Sequence, residues 1–324
     1  MDFLLKIDIP ELTPKLKHTD KVLLIGSCFT EHIFNFLCRN KFAAMQNSHG
    51  VLFNPLSVCK ALDDLVENKK YTADDLFLLN EYYHSWFFHS DFSCLDAQES
   101  LQKINDSISA QHQFLKEADA IFITLGSSYA YYLLDENIYV NNNHRAPMNH
   151  FRKDLLSIEV MTNALIAMQE KLKAFNPKLK FVYTISPVRH SRDGVIENNR
   201  SKARLLETVH SLPNQYYFPS YELVIDVLRD YRFYDIDLVH PNYPATAYVW
   251  EQFKTHCIEQ NCFPLMKKLE QLHKAKNHKP KDTQSQAHQQ FLKEHLQLCN
   301  ELKITFPYLN LDEEMNYFLG SQVL

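Results

Sequence analysis

Apolar and polar positions alternate along the chain in blocks whose period changes often enough to mark separate elements. Short apolar runs stop at punctuating residues: Lys21-Val-Leu-Leu-Ile25 ends at Gly26, and Ala118-Asp-Ala-Ile-Phe-Ile-Thr-Leu125 ends at Gly126. A third run, Leu179-Lys-Phe-Val-Tyr-Thr-Ile185, ends before Ser186-Pro187. Runs of this length between turn residues predict buried strands. Over 28–39, Phe29, His32, Ile33, Phe36 and Leu37 recur at helical spacing, so the chain reads strand, sharp turn, helix. Pro55 opens a helix to about residue 65. Further helices are predicted over 95–117, 154–174, 198–211, 220–230 and 243–260. Residues 3–9 alternate as an edge strand would, 42–46 lead into a loop at 47–55, 129–140 form a hairpin, and 215–218 a short strand. The aromatic and histidine-rich 71–94 show no clear period. Strands alternating with helices imply an α/β fold, a mostly parallel sheet with helices on both faces.

Past Pro264 the character changes. Residues 265–303 are helical in pattern, interrupted by the basic stretch His273–Lys281, and 284–302 are amphipathic. The chain therefore divides into an α/β domain at 1–263 and a C-terminal helical extension at 264–324. The extension is expected to serve packing or homo-oligomer formation, and the basic stretch to be a solvated loop.

Composition narrows the class. Of 324 residues, 45% are hydrophobic and 13% aromatic, which suits a solid core or an aromatic-lined cleft, and the net charge is −5. No basic field points to nucleic acid. The first residues carry Asp2, Lys6 and Asp8, and no apolar stretch approaches the roughly 20 residues that span a bilayer. Seven scattered cysteines without a CxxC pair imply free thiols in a reducing compartment, so the expected location is cytoplasmic, with no membrane partner. Only five glycines occur, so each is expected where backbone shape leaves little choice.

Ligands of open α/β sheets bind beyond the carboxyl ends of the strands, and candidate chemistry collects there. In Ile25-Gly-Ser-Cys-Phe29, a cysteine at a helix N-terminus is expected to have a lowered pKa and to be nucleophilic; Ser27 fits an N-cap. In Asp237-Leu-Val-His240-Pro241, the carboxylate can fix the imidazole of a general base. Gly50 and Gly126 can offer backbone amides to a developing oxyanion. Ser186-Pro-Val-Arg-His190 ends the third strand at the same edge. There Arg189 can take a substrate anion and His190 can assist proton transfer, or both can pair structurally with Asp230 or Asp235.

The order of these segments resembles the GSCFA family, placed within the SGNH (GDSL-like) hydrolases. The resemblance is carried by Gly26-Ser-Cys-Phe29, Gly50–Asn54, Thr124-Leu-Gly-Ser-Ser-Tyr129 and Asp237-x-x-His240-Pro. Asn143-His144-Arg145, Ser186–His190, Glu197-Asn198 with Ser201-Lys202-Ala203, Tyr217–Glu222 and Asp226–Tyr234 add to it, over about 20–255. It implies an SGNH-like (flavodoxin-like) sheet and an acyl hydrolase or acyltransferase. Laid on the superfamily's Gly-Asp-Ser block, Gly26-Ser27-Cys28 puts Cys28 in the nucleophile's place; a slip of one residue makes it Ser27. Gly50 takes the second block's glycine. The oxyanion asparagine maps to Ser128, with Asn54 or Ser127 as replacements, and Asp237 and His240 take the last block's places. His144, Arg189 and His190 are the substrate-binding candidates. The expected substrate is a small-molecule or carbohydrate ester, such as an O-acetyl sugar, with no cofactor and no metal. Two other classes stay open. One is a non-catalytic glycan-binding protein that keeps the fold; the other is a metal-dependent hydrolase drawing on the sixteen histidines, although no HExxH motif is present.

Overall fold

The computed structural model describes residues 5–320. Strand β1 (Lys21–Gly26) leads through a tight turn into α1 (Phe29–Arg39) and β2 (Ala43–Gln46). Helix α2 (Pro55–Glu67), the hairpin β3 (Phe77–Leu79) and β4 (Tyr82–His84), and α3 (Ala97–Glu117) precede β5 (Ala120–Leu125). Next come β6 (Tyr129–Leu133), β7 (Ile138–Val140), β8 (Phe151–Leu155), α4 (Ile158–Phe175) and β9 (Lys180–Ile185). After α5 (Val195–His210) and β10 (Tyr216–Tyr217), a single turn, α6 (Ser220–Glu222), widens into a π-helix over Leu223–Val227. Helices α7 (Tyr243–Cys257), α8 (Phe263–Lys276), α9 (Gln286–Thr305) and α10 (Asp312–Gly320) complete the chain.

The main sheet has five parallel strands in the order β10-β9-β5-β1-β2. Counted along the chain this is the 2-1-3-4-5 order of doubly wound sheets, and the order reverses between β1 and β5. Successive side chains of a strand point to opposite faces, so one apolar run supplies two cores. Leu23 and Ile25 of β1, with Ile121, Ile123 and Leu125 of β5, meet α2, α3, α4 and α5. Val22 and Leu24, with Phe122, meet α1 and α7 on the other side. Burial on both faces is why these strands read as continuous hydrophobic runs.

Four local expectations change. Residues 5–9 form no strand, and 3 and 4 lie outside the described residues. Instead Ile9, Leu12 and Leu16 pack into the second core, and the Leu12 and Leu16 amides donate to carbonyls at the end of α7. The expected helix at 220–230 is the α6 turn plus the π-turn. The helix expected from 154 begins at Ile158, because Phe151–Leu155 pair antiparallel with β6. The basic stretch expected to break the C-terminal helix from His273 is helical through Lys276.

Helices α8, α9 and α10 enclose a core of their own, with Leu269, Leu292, Leu302 and Phe318 at its centre. Lys41 pairs with Glu314 at 2.7 Å, and Tyr308 Oη hydrogen-bonds His18 Nδ1 at 3.2 Å, tying this unit to the α/β part. Among the described residues, no helix is long and apolar enough to cross a membrane.

Candidate active site

The turn after β1 depends on Gly26. Its φ is +137°, and a Cβ there would lie 2.1 Å from the Thr124 carbonyl oxygen, so only glycine keeps β1 and β5 paired to their ends. Asn47 Oδ1 accepts from the Gly26 amide at 2.9 Å. The chain then enters α1 with Cys28 as N-cap residue, half-buried and without a side-chain capping bond. Ser27 lies behind it, 0% exposed, and its hydroxyl has no hydrogen-bond partner. Ser27 thus does not serve as the side-chain cap expected of it; only its carbonyl engages the helix, accepting from Thr30 at 2.8 Å.

The thiol differs from expectation in its electrostatics. Burial pushes the Cys28 thiol above its ordinary value and Glu31 adds to this, while Lys202 and the Cys28 and Phe29 amides pull the other way and do not win. A helix N-terminus supplies partial charge, but here desolvation is larger.

Gly126 ends β5 on the neighbouring strand. A Cβ on it would come 3.1 Å from both Phe53 Cδ1 and Ser27 Cβ and 3.3 Å from His190 Nε2, so three loops converge on this one α-carbon. The four expected oxyanion residues hold donors that are already bonded within the fold. Gly50 N–H donates to the Asn47 carbonyl at 2.8 Å, and Gly126 and Ser127 N–H both donate to the Phe53 carbonyl. Ser128 N–H donates to Ser201 Oγ at 2.8 Å. Asn54 caps α2, its Oδ1 accepting from the Ser57 amide at 2.9 Å while its Nδ2 donates to Ser57 Oγ. The amides that face the reactive position are those of Cys28 and Phe29.

On the loop before α7, Asp237 Oδ1 accepts from the Val239 and His240 amides at 2.9 and 3.0 Å, and Oδ2 meets His240 Nδ1 at 2.6 Å. The His240 hydrogen bond, followed by the two amides, holds the Asp237 carboxyl down at about 2. Leu238 adopts φ +57°, which closes the turn between them. The His240 side chain is 46% exposed, and among the described residues none hydrogen-bonds its Nε2. The Arg189 amide donates to the Val239 carbonyl and joins this loop to the end of β9. His32 and His190 both lie within electrostatic reach of His240. His32 stands one helical turn beyond Cys28.

A model of the GSCFA family matches residues 21–253, more than two thirds of the chain. The chain belongs to the GSCFA family. A second model, for the C-terminal domain of GSCFA domain proteins, matches residues 269–320, the part that the motif resemblance leaves unexplained. No curated protein matches the chain.

In this GSCFA protein the remaining candidates take different places. His190 is buried at the Gly126 junction; burial, then Lys202 and His240, hold it down to about 3, and its Nε2 has no partner. Arg189 pairs with neither Asp230 nor Asp235. Its guanidinium lies over the Tyr234 and Tyr231 rings, 4.5 and 5.2 Å from their centroids, while Asp230 pairs with Arg232. Arg189, Asn198, Tyr221 and Tyr231 line a cleft of about 270 Å³. His144 stands apart from this group. It is buried against His84, Phe77 and Trp86 with Nε2 bonded at the Ser85 carbonyl, and burial holds it down at about 4. Among the described residues no three His, Cys, Asp or Glu side chains are grouped to hold a metal ion.

Two residues of the site escape sequence reasoning. His32 carried a signal, its i+4 spacing from Cys28. Lys202 lay in a segment of the family resemblance but was given no role: a lysine on an amphipathic helix reads as a solvated charge, yet it is 1% exposed, and its Nζ donates to the Gly126 and Ser186 carbonyls at 2.6 and 2.7 Å.

Proposed function

We propose that this GSCFA protein is an SGNH-type acyl hydrolase or acyltransferase in which Cys28, His240 and Asp237 act on a small acyl ester. The observation that carries the proposal is the 2.6 Å Asp237–His240 pair with a free Nε2, at the sheet edge where the half-buried Cys28 opens α1. The strand order and the reversal beside Gly26 support the superfamily placement.

His240 Nε2 takes the Cys28 proton, and the sulfur attacks the ester carbonyl carbon. The Cys28 and Phe29 amides receive the oxyanion. Collapse expels the alcohol, which recovers its proton from His240, and leaves a thioester on Cys28. Water, or a sugar hydroxyl in the transferase case, gives its proton to His240, attacks the thioester and frees Cys28. Asp237 holds the imidazole in the tautomer that this needs. Ser27 is sealed behind Cys28, which favours the cysteine as nucleophile. No hydrogen bond joins Cys28 to His240 in the resting protein; catalytic contacts of this kind tighten in the substrate complex. Arg189 in its cleft is placed to orient an anionic or hydroxyl-rich portion of the substrate.

The raised thiol and the occupied oxyanion donors favour a second function, binding of a glycan ester without turnover. Hydrolysis of p-nitrophenyl acetate and of O-acetyl sugars by the wild type, Cys28→Ala and Ser27→Ala separates them. Turnover lost in Cys28→Ala and kept in Ser27→Ala supports the cysteine mechanism, whereas saturable glycan binding without any turnover overturns it.

A further inference from the structure

Lys202 has no task in acyl transfer as written, and its surroundings are unusual for a lysine. From α5 its side chain reaches beneath the ends of β5 and β9, where Nζ donates to the two carbonyls that follow those strands. Among the described residues no carboxylate comes within ion-pair distance of it. A buried ammonium without an anion is costly, so such a group sheds its proton or acquires a counter-charge. A neutral amine has two N–H groups, and the two carbonyls accept both of them. An ammonium has a third N–H and a full charge to place.

One group in reach can answer that charge. The Gly126 carbonyl that Lys202 holds belongs to the residue against which Ser27 packs, with Cys28 next in the chain. Cys28 and Lys202 act on each other electrostatically, each favouring the other's charged form. The other groups that face Lys202 are His190 and the Tyr221 ring, 5.9 Å away, and neither supplies an anion at neutral pH; Glu31 faces Cys28. Burial disfavours both charged forms when they are alone, bringing Lys202 down to about 7 and lifting Cys28.

We propose that Lys202 is the resident counter-cation of the Cys28 thiolate, so that the two titrate as one pair between thiol–amine and thiolate–ammonium. The exchange breaks an S–H bond and forms an N–H bond with no change in net charge, the proton travelling through solvent or His240. Lys202 is thus a positioning residue: it clamps the two strand ends and supplies the field that lets the nucleophile ionise inside a desolvated site. This rests on Cys28 being the nucleophile, as proposed above.

The test is the rate of Cys28 alkylation by iodoacetamide from pH 5 to 10, read by mass spectrometry at that thiol alone, in the wild type and in Lys202→Met. The expected result is a midpoint about one unit higher in the variant and alkylation about ten-fold slower at pH 7.5. An unchanged midpoint in folded Lys202→Met overturns the proposal. Should that variant not fold, Cys28→Ala gives the reciprocal reading. The ¹³Cε resonance of Lys202, followed against pH, is expected to titrate lower without the thiol, and an identical titration overturns the proposal. Alkylation needs no turnover, so a coupled pair in a protein without esterase activity counts against acyl transfer alone. Cys28-dependent esterase activity with an unchanged midpoint counts against the counter-cation alone.

Discussion

His49 and His240 each bond an aspartate, at 3.0 Å to Asp64 and 2.6 Å to Asp237, and the two settings show what separates structure from chemistry in this fold. His49 is fully buried and stacked on Phe88 with ring centroids 4.2 Å apart. Its Nδ1 meets Ser48 Oγ at 2.9 Å, and its Nε2 meets Asp64, which also receives Tyr71 Oη at 2.8 Å and Lys60 Nζ at 2.5 Å. Serine, histidine and aspartate here stand in the order of a hydrolase triad. Every ring valence is occupied and no substrate can reach the serine. Around Asp237 the aspartate takes one nitrogen of His240 and leaves the other free at a half-exposed edge. A spare valence and access, rather than the bond itself, distinguish the pair proposed to be catalytic.

The comparison can be broken most sharply by activity. His240→Ala is expected to lower ester cleavage by about 10³-fold or more with little change in melting. His49→Ala is expected to keep turnover per folded molecule; p-nitrophenyl acetate rates normalised to the folded fraction from circular dichroism decide this. Equal losses in both variants would mean that the buried triad takes part in the reaction.

Stability should rank the pairs in the opposite order. Asp64→Ala leaves the buried His49 and Tyr71 without their shared acceptor and the partly exposed Lys60 without its partner, and is expected to cost about 3–5 kcal/mol in urea unfolding. Asp237→Ala, at the surface, should leave the urea midpoint almost unchanged.

A smaller effect concerns pH. Burial holds His49 below its ordinary value despite the pull of Asp64, so it is neutral in the fold. The unfolded chain takes up the proton first. The stabilisation from the neutral ring is therefore complete above about pH 6.5 and is lost as the pH falls toward the folded-state value. The melting temperature should decline from about pH 6.5 downward, and less steeply in His49→Gln.

The smallest effect is expected from Ser27→Ala. The hydroxyl is buried without a partner, so its removal should change stability by no more than about 0.5 kcal/mol and leave esterase activity within about two-fold. A loss of 10³-fold would instead make Ser27 the nucleophile.

Much of the architecture is legible because it rests on local rules. The three apolar runs, the glycine stops at Gly26 and Gly126 and the Pro55 helix start all follow from burial and backbone geometry read within a few residues. The Asp237–His240 pair was legible for the same reason, since three residues on a turn suffice to make it. Strand β8 was not, because Phe151–Leu155 owes its conformation to β6, and the N-terminal segment owes its course to α7. The use of the oxyanion candidates' donors was not legible, because a glycine or asparagine advertises a donor without saying where it is used. Gly50, Gly126, Ser128 and Asn54 all give theirs to neighbours within the fold.

What the sequence alone determined is the succession of buried strands and covering helices, the C-terminal helical unit and the residues that share one sheet edge. Those follow from periodicity and from the few positions where only glycine or proline fits. What only the tertiary structure decided is which polar groups remain unanswered there: Ser27 sealed and unpaired, the Cys28 thiol raised rather than lowered, and Lys202 drawn inside without a carboxylate. Desolvation and hydrogen-bond satisfaction are sums over neighbours far apart in the chain, and no local pattern carries them.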